Sequence, residues 1–303
     1  KKKQKQKQKQ KQKQKIMQVL PFWDPEQHSH AHYVSIESDK WWTSSFVEID
    51  NHVSDLAIRS AEPRFRNVQA LRVAWLLDDQ YEPLCSLLKN AHSLRMVNFW
   101  GFVSLQGIEA LVSTFSCLPS ITEFRICLNG AASAEFDSLV RSIAKFQQLR
   151  CLSMRMTDRS SEGFVQVCDE VVARLPNLKA IELYVGENMT SRPLFEALLK
   201  RSSDTPVFLL KTDSRILESE VEFFSAFMLQ NVQNMEVLQI CPGDRKALVG
   251  IADFMRLSPL CFAKVYNLTV ELPVPATAPD YKRFFQAIRP LPIFMLTISW
   301  KAY

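Results

Sequence analysis

The sequence predicts an α/β solenoid in which strand and helix units stack, with a parallel sheet on the concave side and helices on the convex side. Nine times an apolar residue is followed, three and five positions later, by two more anchors, which are apolar in every triplet but one, as in Ile121, Phe124 and Ile126. Successive triplets begin 26 to 30 residues apart. A period of this length is typical of stacked repeat proteins. The nine triplets begin at Val68, Leu94, Ile121, Leu149, Leu178, Val207, Met235, Ala263 and Ile293.

The second and third anchors of each triplet predict a short strand. Apolar and polar residues alternate there, and a period of two sends one set of side chains to the core and the other to solvent. All nine residues between these anchors are polar, whereas the anchors themselves are apolar or aromatic apart from Thr212. We therefore expect an outward column made of Arg72, Asn98, Arg125, Ser153, Glu182, Lys211, Gln239, Asn267 and Thr297.

A helix is predicted after each strand except the last. Apolar residues three and four positions apart form the stripe of an amphipathic helix, as in Phe136, Leu139, Val140 and Ile143. Ser104 and Asp244 are predicted helix caps, and Pro193 fits a first helical turn. Polar residues off the stripes, such as Lys145 and Arg201, are expected on the exposed convex side.

The segment from Ile121 to Asn129 resembles the leucine-rich repeat, whose pattern is Leu-x-x-Leu-x-Leu-x-x-Asn. The strand and helix unit of about 28 residues is similar to the ribonuclease-inhibitor-like subclass. Only Asn129 fills the asparagine position, so the resemblance implies a less regular horseshoe of about nine repeats. Degenerate repeats of this kind resemble those of intracellular F-box substrate receptors and of the sensing half of innate immune receptors.

Three regions are predicted along the chain. Residues 1–16 form a low-complexity tail with nine lysines and six glutamines, which we expect to be disordered. Residues 17–66 are expected to cap the first repeat with irregular structure, and residues 67–303 to form the repeat domain. Without the nine lysines, the 37 basic residues fall to 28 against 32 acidic ones, a net charge of about −4. The predicted folded body is therefore mildly acidic.

Composition and motifs favour a protein without catalytic chemistry. The chain has only 7 glycines, no phosphate-binding glycine motif, no nucleophile elbow and no HExxH motif, so no catalytic residues and no cofactor are predicted. The seven scattered cysteines are expected to be reduced thiols. His28, His30 and His32 alternate, but they lack neighbouring carboxylate or cysteine ligands, so a polar turn is favoured over a metal site. No membrane span or secretion signal is predicted, which favours a cytoplasmic or nuclear location.

Function is therefore expected to lie on the concave strand face. A wide, shallow surface of this kind suits a macromolecular partner, and Trp, Tyr and Arg dominate binding hot spots. The predicted protein-binding patch comprises Trp100, Arg125, Arg155, Glu182 and Tyr184. The alternative interpretation is that Trp100 folds over the neighbouring repeat and contacts no partner.

Two further hypotheses about function stay open. The likeness to F-box receptors implies the substrate-recognition part of a ubiquitin ligase, although Leu20 to Trp23 match an F-box poorly. The lysine-rich tail fits a weak site for nucleic acid or an acidic membrane. Alternatively, Met17 is the natural first residue and the tail has no role.

Overall fold

A computed structural model describes the chain outside its N-terminal tail and several loops. The described residues are 34–35, 46–49, 52–74, 78–103, 107, 110–111, 114, 118–129, 133–157, 161–186, 189–201, 205–232, 234–273 and 276–301. The predicted disordered tail, the histidines at 28, 30 and 32, and the predicted cap Ser104 lie outside them.

The described strands form one parallel sheet in which spatial order follows chain order. They are β1 (Val34–Ser35), β2 (Phe46–Ile49), β3 (Ala70–Ala74), β4 (Met96–Val103), β5 (Glu123–Asn129), β6 (Cys151–Thr157), β7 (Ala180–Tyr184), β8 (Leu209–Thr212), β9 (Val237–Ile240), β10 (Asn267–Pro273) and β11 (Met295–Lys301). Strands β3 to β11 correspond to the nine predicted repeats, and eight of them keep the predicted register, which confirms an α/β solenoid.

Eight α-helices connect the strands in the described part of the chain. They are α1 (Asp55–Ala61), α2 (Tyr81–Lys89), α3 (Ser133–Ile143), α4 (Ser161–Gln166), α5 (Arg192–Leu199), α6 (Val221–Gln230), α7 (Arg245–Leu257) and α8 (Ala278–Ile288). The predicted stripe of α3 is buried throughout, from Phe136 to Ile143. Asp244 caps α7 as predicted, because its side chain accepts a hydrogen bond of 2.7 Å from the backbone N–H of Ala247.

One continuous apolar core lies between the sheet and the helices, from Val47 near the first strands to Leu291 near the last. Phenylalanines connect successive repeats within it. Ring centroids are 5.7 Å apart between Phe195 and Phe224, 6.1 Å between Phe224 and Phe254, and 5.9 Å between Phe254 and Phe262. Such edge contacts hold α5 against α6, α6 against α7, and α7 against the 3-10 turn Pro259–Phe262, in addition to the area they bury.

Thr212 is the one polar anchor, and a hydroxyl cluster accounts for it. Its Oγ1 lies 2.7 Å from Oγ of Ser214, which in turn lies 2.8 Å from Oγ of Ser191. All three side chains are buried. Because each hydroxyl has a partner, the polar position does not leave an unsatisfied group in the core.

The predicted register of the eighth triplet is wrong by two residues. The prediction used Ala263, Tyr266 and Leu268, but Leu268 pairs with Leu238 and therefore fills the second position of its repeat. Val265 and Val270 supply the other two anchors, and both are fully buried whereas Ala263 is exposed. The two overlapping triplets both satisfy the apolar pattern, and the 3-10 turn Pro259–Phe262 moves the strand to the later one.

The sheet also extends into the predicted cap region. Strand β2 pairs in parallel with β3, with Val47 beside Leu71 and Ile49 beside Val73, and helix α1 follows it. Val47 and Ile49 are both fully buried. The described part of this region thus continues the strand and helix pattern, whereas an irregular cap was expected.

Arg201 is buried, contrary to its predicted place on the exposed convex side. Only 8% of the residue is exposed, and its guanidinium donates hydrogen bonds to the carbonyls of Val172 and Leu178. Burial lowers the pKa of Arg201 to about 10. The residue joins two successive repeats by donating hydrogen bonds to a carbonyl group of each. Lys145, by contrast, is exposed as predicted.

Candidate functional site on the strand face

The side of the sheet opposite the helices, called the strand face below, carries three rows of side chains. The first row consists of the residue immediately before the second anchor of each repeat. The second row consists of the residue between the second and third anchors, and the third row of the residue immediately after the third anchor. Parallel pairing places each row's members on neighbouring strands, about 4.8 Å apart. Arg125, Ser153 and Glu182 are consecutive in the second row, and Cys127, Arg155 and Tyr184 are consecutive in the third.

The first row is apolar and closed to solvent over most of its length. Met96, Cys151, Ala180, Leu209 and Val237 are all buried. Phe208 and Tyr266 pack against the members on β6 to β9. On these strands the row therefore offers no exposed apolar contact surface, although it belongs to the face on which we expect binding.

Glu123 is a charged residue in the first row. It lies between Met96 and Cys151, is 7% exposed, and its Oε2 atom has no hydrogen-bond partner. Burial raises the pKa of the Glu123 carboxyl to about 7, and the positive charge of Arg125 opposes this rise. A buried carboxyl without a full set of partners favours its neutral form.

We expect Glu123 to make stability fall as pH rises from about 4.5 to about 7. In that window the folded chain keeps the proton whereas the unfolded chain releases it, so folding is disfavoured by up to about 3 kcal/mol at the upper end. Glu123→Gln should remove this contribution. Urea unfolding at several pH values measures it.

The control is Glu162→Gln, at an exposed position in α4. The difference in unfolding free energy between Glu123→Gln and wild type should grow with pH, and it should grow more than the difference for Glu162→Gln, because the Glu123 carboxyl is buried whereas position 162 is exposed. A constant difference for both variants would contradict the assigned cause.

Four charges in the second row form ion pairs between neighbouring strands. Glu48 and Arg72 form an ion pair of 3.2 Å, and Glu182 and Lys211 form one of 3.1 Å. Glu182 is 6% exposed. Its carboxylate is therefore engaged within the sheet, and removal would leave the ammonium group of Lys211 without this partner.

Arg155 and Tyr184 form the most prominent pair of the third row. The Arg155 guanidinium lies over the Tyr184 ring, 5.4 Å from its centroid. Arg155 is exposed, Tyr184 is half-buried, and no carboxylate of the described residues lies within ion-pair distance of Arg155. Burial raises the pKa of the Tyr184 phenol, Glu182 adds to the rise, and Arg155 opposes it. The phenol is thus neutral and serves as a platform for the cation.

Two other acids of the third row serve the fold. Asp213 accepts hydrogen bonds from the backbone N–H groups of Val185 (2.7 Å) and Gly186 (3.3 Å). Gly186 has a φ of 91°, a conformation that favours glycine, so Asp213 stabilises a tight turn after β7. Glu271 accepts from Gln239 at 3.2 Å and from the Cys241 thiol at 3.5 Å.

Trp100 lies at an irregularity of β4. Its backbone pairs with Ala74 of β3, but the register with β5 shifts between Phe99 and Phe102. Such a bulge places additional backbone at the position that Trp100 occupies. The side chain of Trp100 lies outside the described residues, so its predicted exposure stays a prediction.

The structure thus brings four of the predicted site residues together on β5, β6 and β7. Arg125 and Glu182 flank Ser153 in one row, and Arg155 contacts Tyr184 in the next. Sequence reasoning missed Glu123, because the first row was not recognised as part of this face. Glu123 lies two residues before Arg125 on the same strand, so the period of two places both side chains on the same face of the sheet. The alternation in the sequence therefore contained the signal for Glu123.

The described residues carry neither a metal-binding cluster nor a membrane-spanning helix. Within the described ranges, no three His, Cys, Asp or Glu residues cluster in a way that could hold a metal ion. The described cysteines, Cys85, Cys127, Cys151, Cys168, Cys241 and Cys261, are free thiols. No described helix has both the length and the apolar character needed to cross a bilayer.

Comparisons with known proteins identify the fold and no closer relationship. No family model matches the sequence, and no curated protein is significantly similar to it. A chain of the yeast Rad7 and Elc1 complex matches with a TM-score of 0.53 and 11% identity, over 79% of this chain and 60% of that one. A Bacteroides fragilis protein matches with a TM-score of 0.48 and 15% identity, over 84% of this chain and 72% of that one.

The repeats, the parallel sheet and the yeast match define a class. The chain is an α/β solenoid of the leucine-rich-repeat type. It spans about 60% of the length of the matched yeast chain.

Proposed function

We propose that the chain is a protein-interaction module and that its partner binds the strand face around Arg155. The proposed contact patch comprises Trp100, Arg125, Arg155, Glu182 and Tyr184. In this patch Arg155 and Tyr184 supply the direct contact. Glu182 holds Lys211 and bounds the patch on the side of β8.

The observation that carries this proposal is the contrast between Arg155 and the other charges of the face. Glu48, Arg72, Glu182 and Lys211 form ion pairs between strands. Arg155 is exposed on an aromatic platform with its hydrogen-bonding edge available. An arginine stacked on a tyrosine loses little freedom on binding, and these two residue types dominate interface hot spots.

The shape of the face favours a macromolecule over a small ligand. Eleven parallel strands at about 4.8 Å spacing extend on the order of 50 Å. Small-molecule sites are enclosed clefts, whereas a sheet of this width presents its side chains in rows to a broad partner. The yeast match comes from a complex of two proteins, which agrees with a role in protein assembly.

Within the leucine-rich-repeat class, we propose the ribonuclease-inhibitor-like subclass. The support is the α-helix that follows most described strands, together with the repeat length of 26 to 30 residues. The ubiquitin-ligase alternative rests on the resemblance of the repeats. The described part of the chain does not include residues 1–33. These residues contain the lysine-rich tail and the segment from Leu20 to Trp23, which matches an F-box poorly.

Site-specific crosslinking tests the proposed surface. A photoreactive amino acid at position 153, between Arg125 and Glu182, should capture the partner, whereas the same group at exposed position 145 should not. With the captured partner purified, Arg155→Glu should weaken binding by about 1 to 4 kcal/mol, because it replaces the hot-spot cation with an anion. Calorimetry measures this loss.

The matched control is Lys145→Glu, which makes the same charge reversal on the helix side. It should leave the affinity within about twofold of wild type, since exposed charges far from an interface contribute little. Binding that survives Arg155→Glu but is lost with Lys145→Glu would place the partner on the helices and overturn the proposal.

A further inference from the structure

Cations concentrate along one edge of the solenoid, where the chain passes from each helix into the following strand. The part of this edge made of residues 89–95, 118–122, 144–150 and 173–179 is called the basic edge below. Its sequence contains no aspartate or glutamate. Its six exposed cations are Lys89, Arg95, Lys145, Arg150, Arg174 and Lys179. The basic edge therefore has the opposite sign to the mildly acidic body that carries it.

The charge of the basic edge is not neutralised within the fold. None of its six cations forms an ion pair with a described residue. The next cation along the chain, Lys200, pairs with Asp169 at 2.9 Å. At the opposite edge, Lys246 pairs with Glu218 at 2.8 Å. The basic edge thus differs from its surroundings in presenting positive charge to an external anion.

Three of the cations, Arg95, Arg150 and Lys179, form a row at equivalent positions of their repeats, called the strand row below. The backbone N–H of Thr122 donates to the carbonyl of Arg95, that of Arg150 to Thr122, and that of Lys179 to Arg150, each at 2.8 Å. These four residues therefore lie side by side at the starts of neighbouring strands, about 4.8 Å apart. Backbone hydrogen bonds thus fix the spacing at which the strand row presents its charges.

The helix macrodipole accounts for only part of this charge. Lys89 is the last residue of α2, Lys145 lies two residues beyond α3, and Arg174 lies two residues beyond the π-helical turn Val167–Val172. Cations at these positions stabilise a helix, but the effect falls off within the last turn. The members of the strand row lie six or seven residues beyond the helix ends. Their charge therefore has no such role in the fold.

The basic edge exposes charge without large apolar side chains. Every leucine, isoleucine and phenylalanine in its four segments is buried, as at Leu94, Phe146 and Leu178. Protein interfaces have aromatic and apolar centres depleted of lysine, and interfacial membrane binding buries an apolar face. Single-stranded nucleic acid stacks its bases on aromatic rings. An edge that offers cations alone instead suits the phosphate backbone of a nucleic acid duplex, which lysine and arginine contact directly.

The neutral donors between the cations are used within the fold. The side-chain amide of Asn177 donates to the carbonyl of Gln147 at 2.9 Å, and that of Gln147 donates to Ala144 at 3.2 Å. The Ser120 hydroxyl donates to the carbonyl of Leu94 at 2.8 Å. Recognition of base edges or of ribose hydroxyls needs such donors. The basic edge is therefore expected to contact phosphates without preference for sequence or sugar.

We propose that the basic edge binds the phosphate backbone of a nucleic acid duplex without reading its sequence. Each cation that approaches a phosphate releases condensed counterions, and this release supplies the affinity. The strand row lies at the starts of the strands, whereas Arg155 lies near the end of β6. A duplex and a protein partner would thus occupy different surfaces. The inference does not depend on the patch around Arg155.

A triple variant removes the strand row without reversing any charge. In Arg95→Gln/Arg150→Gln/Lys179→Gln, three exposed cations become neutral and no buried group changes. The parent protein and all variants carry glutamine in place of the nine lysines of residues 1–15, so the tail adds no charge to the measurement. Circular dichroism confirms that each protein is folded.

The matched control makes the same change in net charge away from the basic edge. Arg192→Gln/Lys246→Gln/Lys282→Gln neutralises three exposed cations of α5, α7 and α8. Surface ion pairs lost in this variant contribute little to stability. A difference between the two triple variants therefore reports the position of the charges and not their number.

Fluorescence anisotropy with a labelled duplex of about 20 base pairs, at salt concentrations from about 50 to 200 mM, measures binding. With six phosphate contacts, the logarithm of the association constant should fall against the logarithm of salt concentration with a slope of about −5. The strand-row variant should bind at least about tenfold more weakly at the lowest salt, with a slope of about −3. The control should stay within about threefold of the parent, and DNA and RNA duplexes should bind the parent within about threefold of each other.

Three results would overturn the proposal. The first is a parent protein that does not bind the duplex at the lowest salt, and the second is an equal loss in the two triple variants. The third is tighter binding of a single strand, or of vesicles of phosphatidylserine and phosphatidylcholine, than of the duplex. Either of these last preferences would assign the basic edge to a different anion.

Discussion

Leu183→Asp should unfold the central repeats. Leu183 is fully buried between the sheet and the helices, and the three flanking residues of β7 before it are buried as well. A carboxylate there has no partner and must be buried charged or protonated, which costs at least about 4 kcal/mol. Urea unfolding followed by circular dichroism measures the loss.

The matched control is Ser153→Asp, which introduces the same carboxylate on the strand face of the adjacent strand. Ser153 lies between Arg125 and Glu182 and is half-buried, so one neighbour attracts the new charge and the other repels it. We expect a change within about 1 kcal/mol. Equal losses for the two variants would show that the inward and outward positions are assigned wrongly.

Arg201→Glu should also destabilise the fold strongly. The substitution removes the donors to the carbonyls of Val172 and Leu178 and places a carboxylate beside them. Unsatisfied buried carbonyls and a buried, unpaired anion together should cost on the order of 3 kcal/mol or more. Thermal and urea unfolding both report this loss.

Lys145→Glu provides the comparison, since it makes the same charge reversal at an exposed position. Its effect should stay within about 0.5 kcal/mol. If Arg201→Glu were equally mild, the buried guanidinium would not be part of the connection between repeats.

Much of the architecture was predictable because it depends on local periodicity. An apolar residue at every second position predicts which side chains of a strand face the core, and the predicted anchors of β5, such as Phe124 and Ile126, are buried accordingly. The register failed at β10 for the same reason. Two overlapping triplets satisfy the pattern there, and only hydrogen bonding to β9 distinguishes them.

The position of the candidate site was predictable from the sequence, whereas the contacts between its side chains were not. Arg155 and Tyr184 lie 29 residues apart, and the repeat period alone places them side by side. Their stacking, and the engagement of Glu182 by Lys211, depend on side-chain conformations that a period does not specify. A polar residue in an outward column can therefore be either a partner contact or an internal ion pair.

The sequence by itself determined the class of fold, the strand order and the face on which the anchors lie outside the eighth repeat, because these follow from residue spacing along the chain. The tertiary structure alone decided which polar residues are buried. Arg201 and Glu123 look like ordinary surface charges in the sequence, yet both are enclosed. Burial depends on how closely neighbouring repeats approach, and that distance is set by packing between residues far apart in the chain.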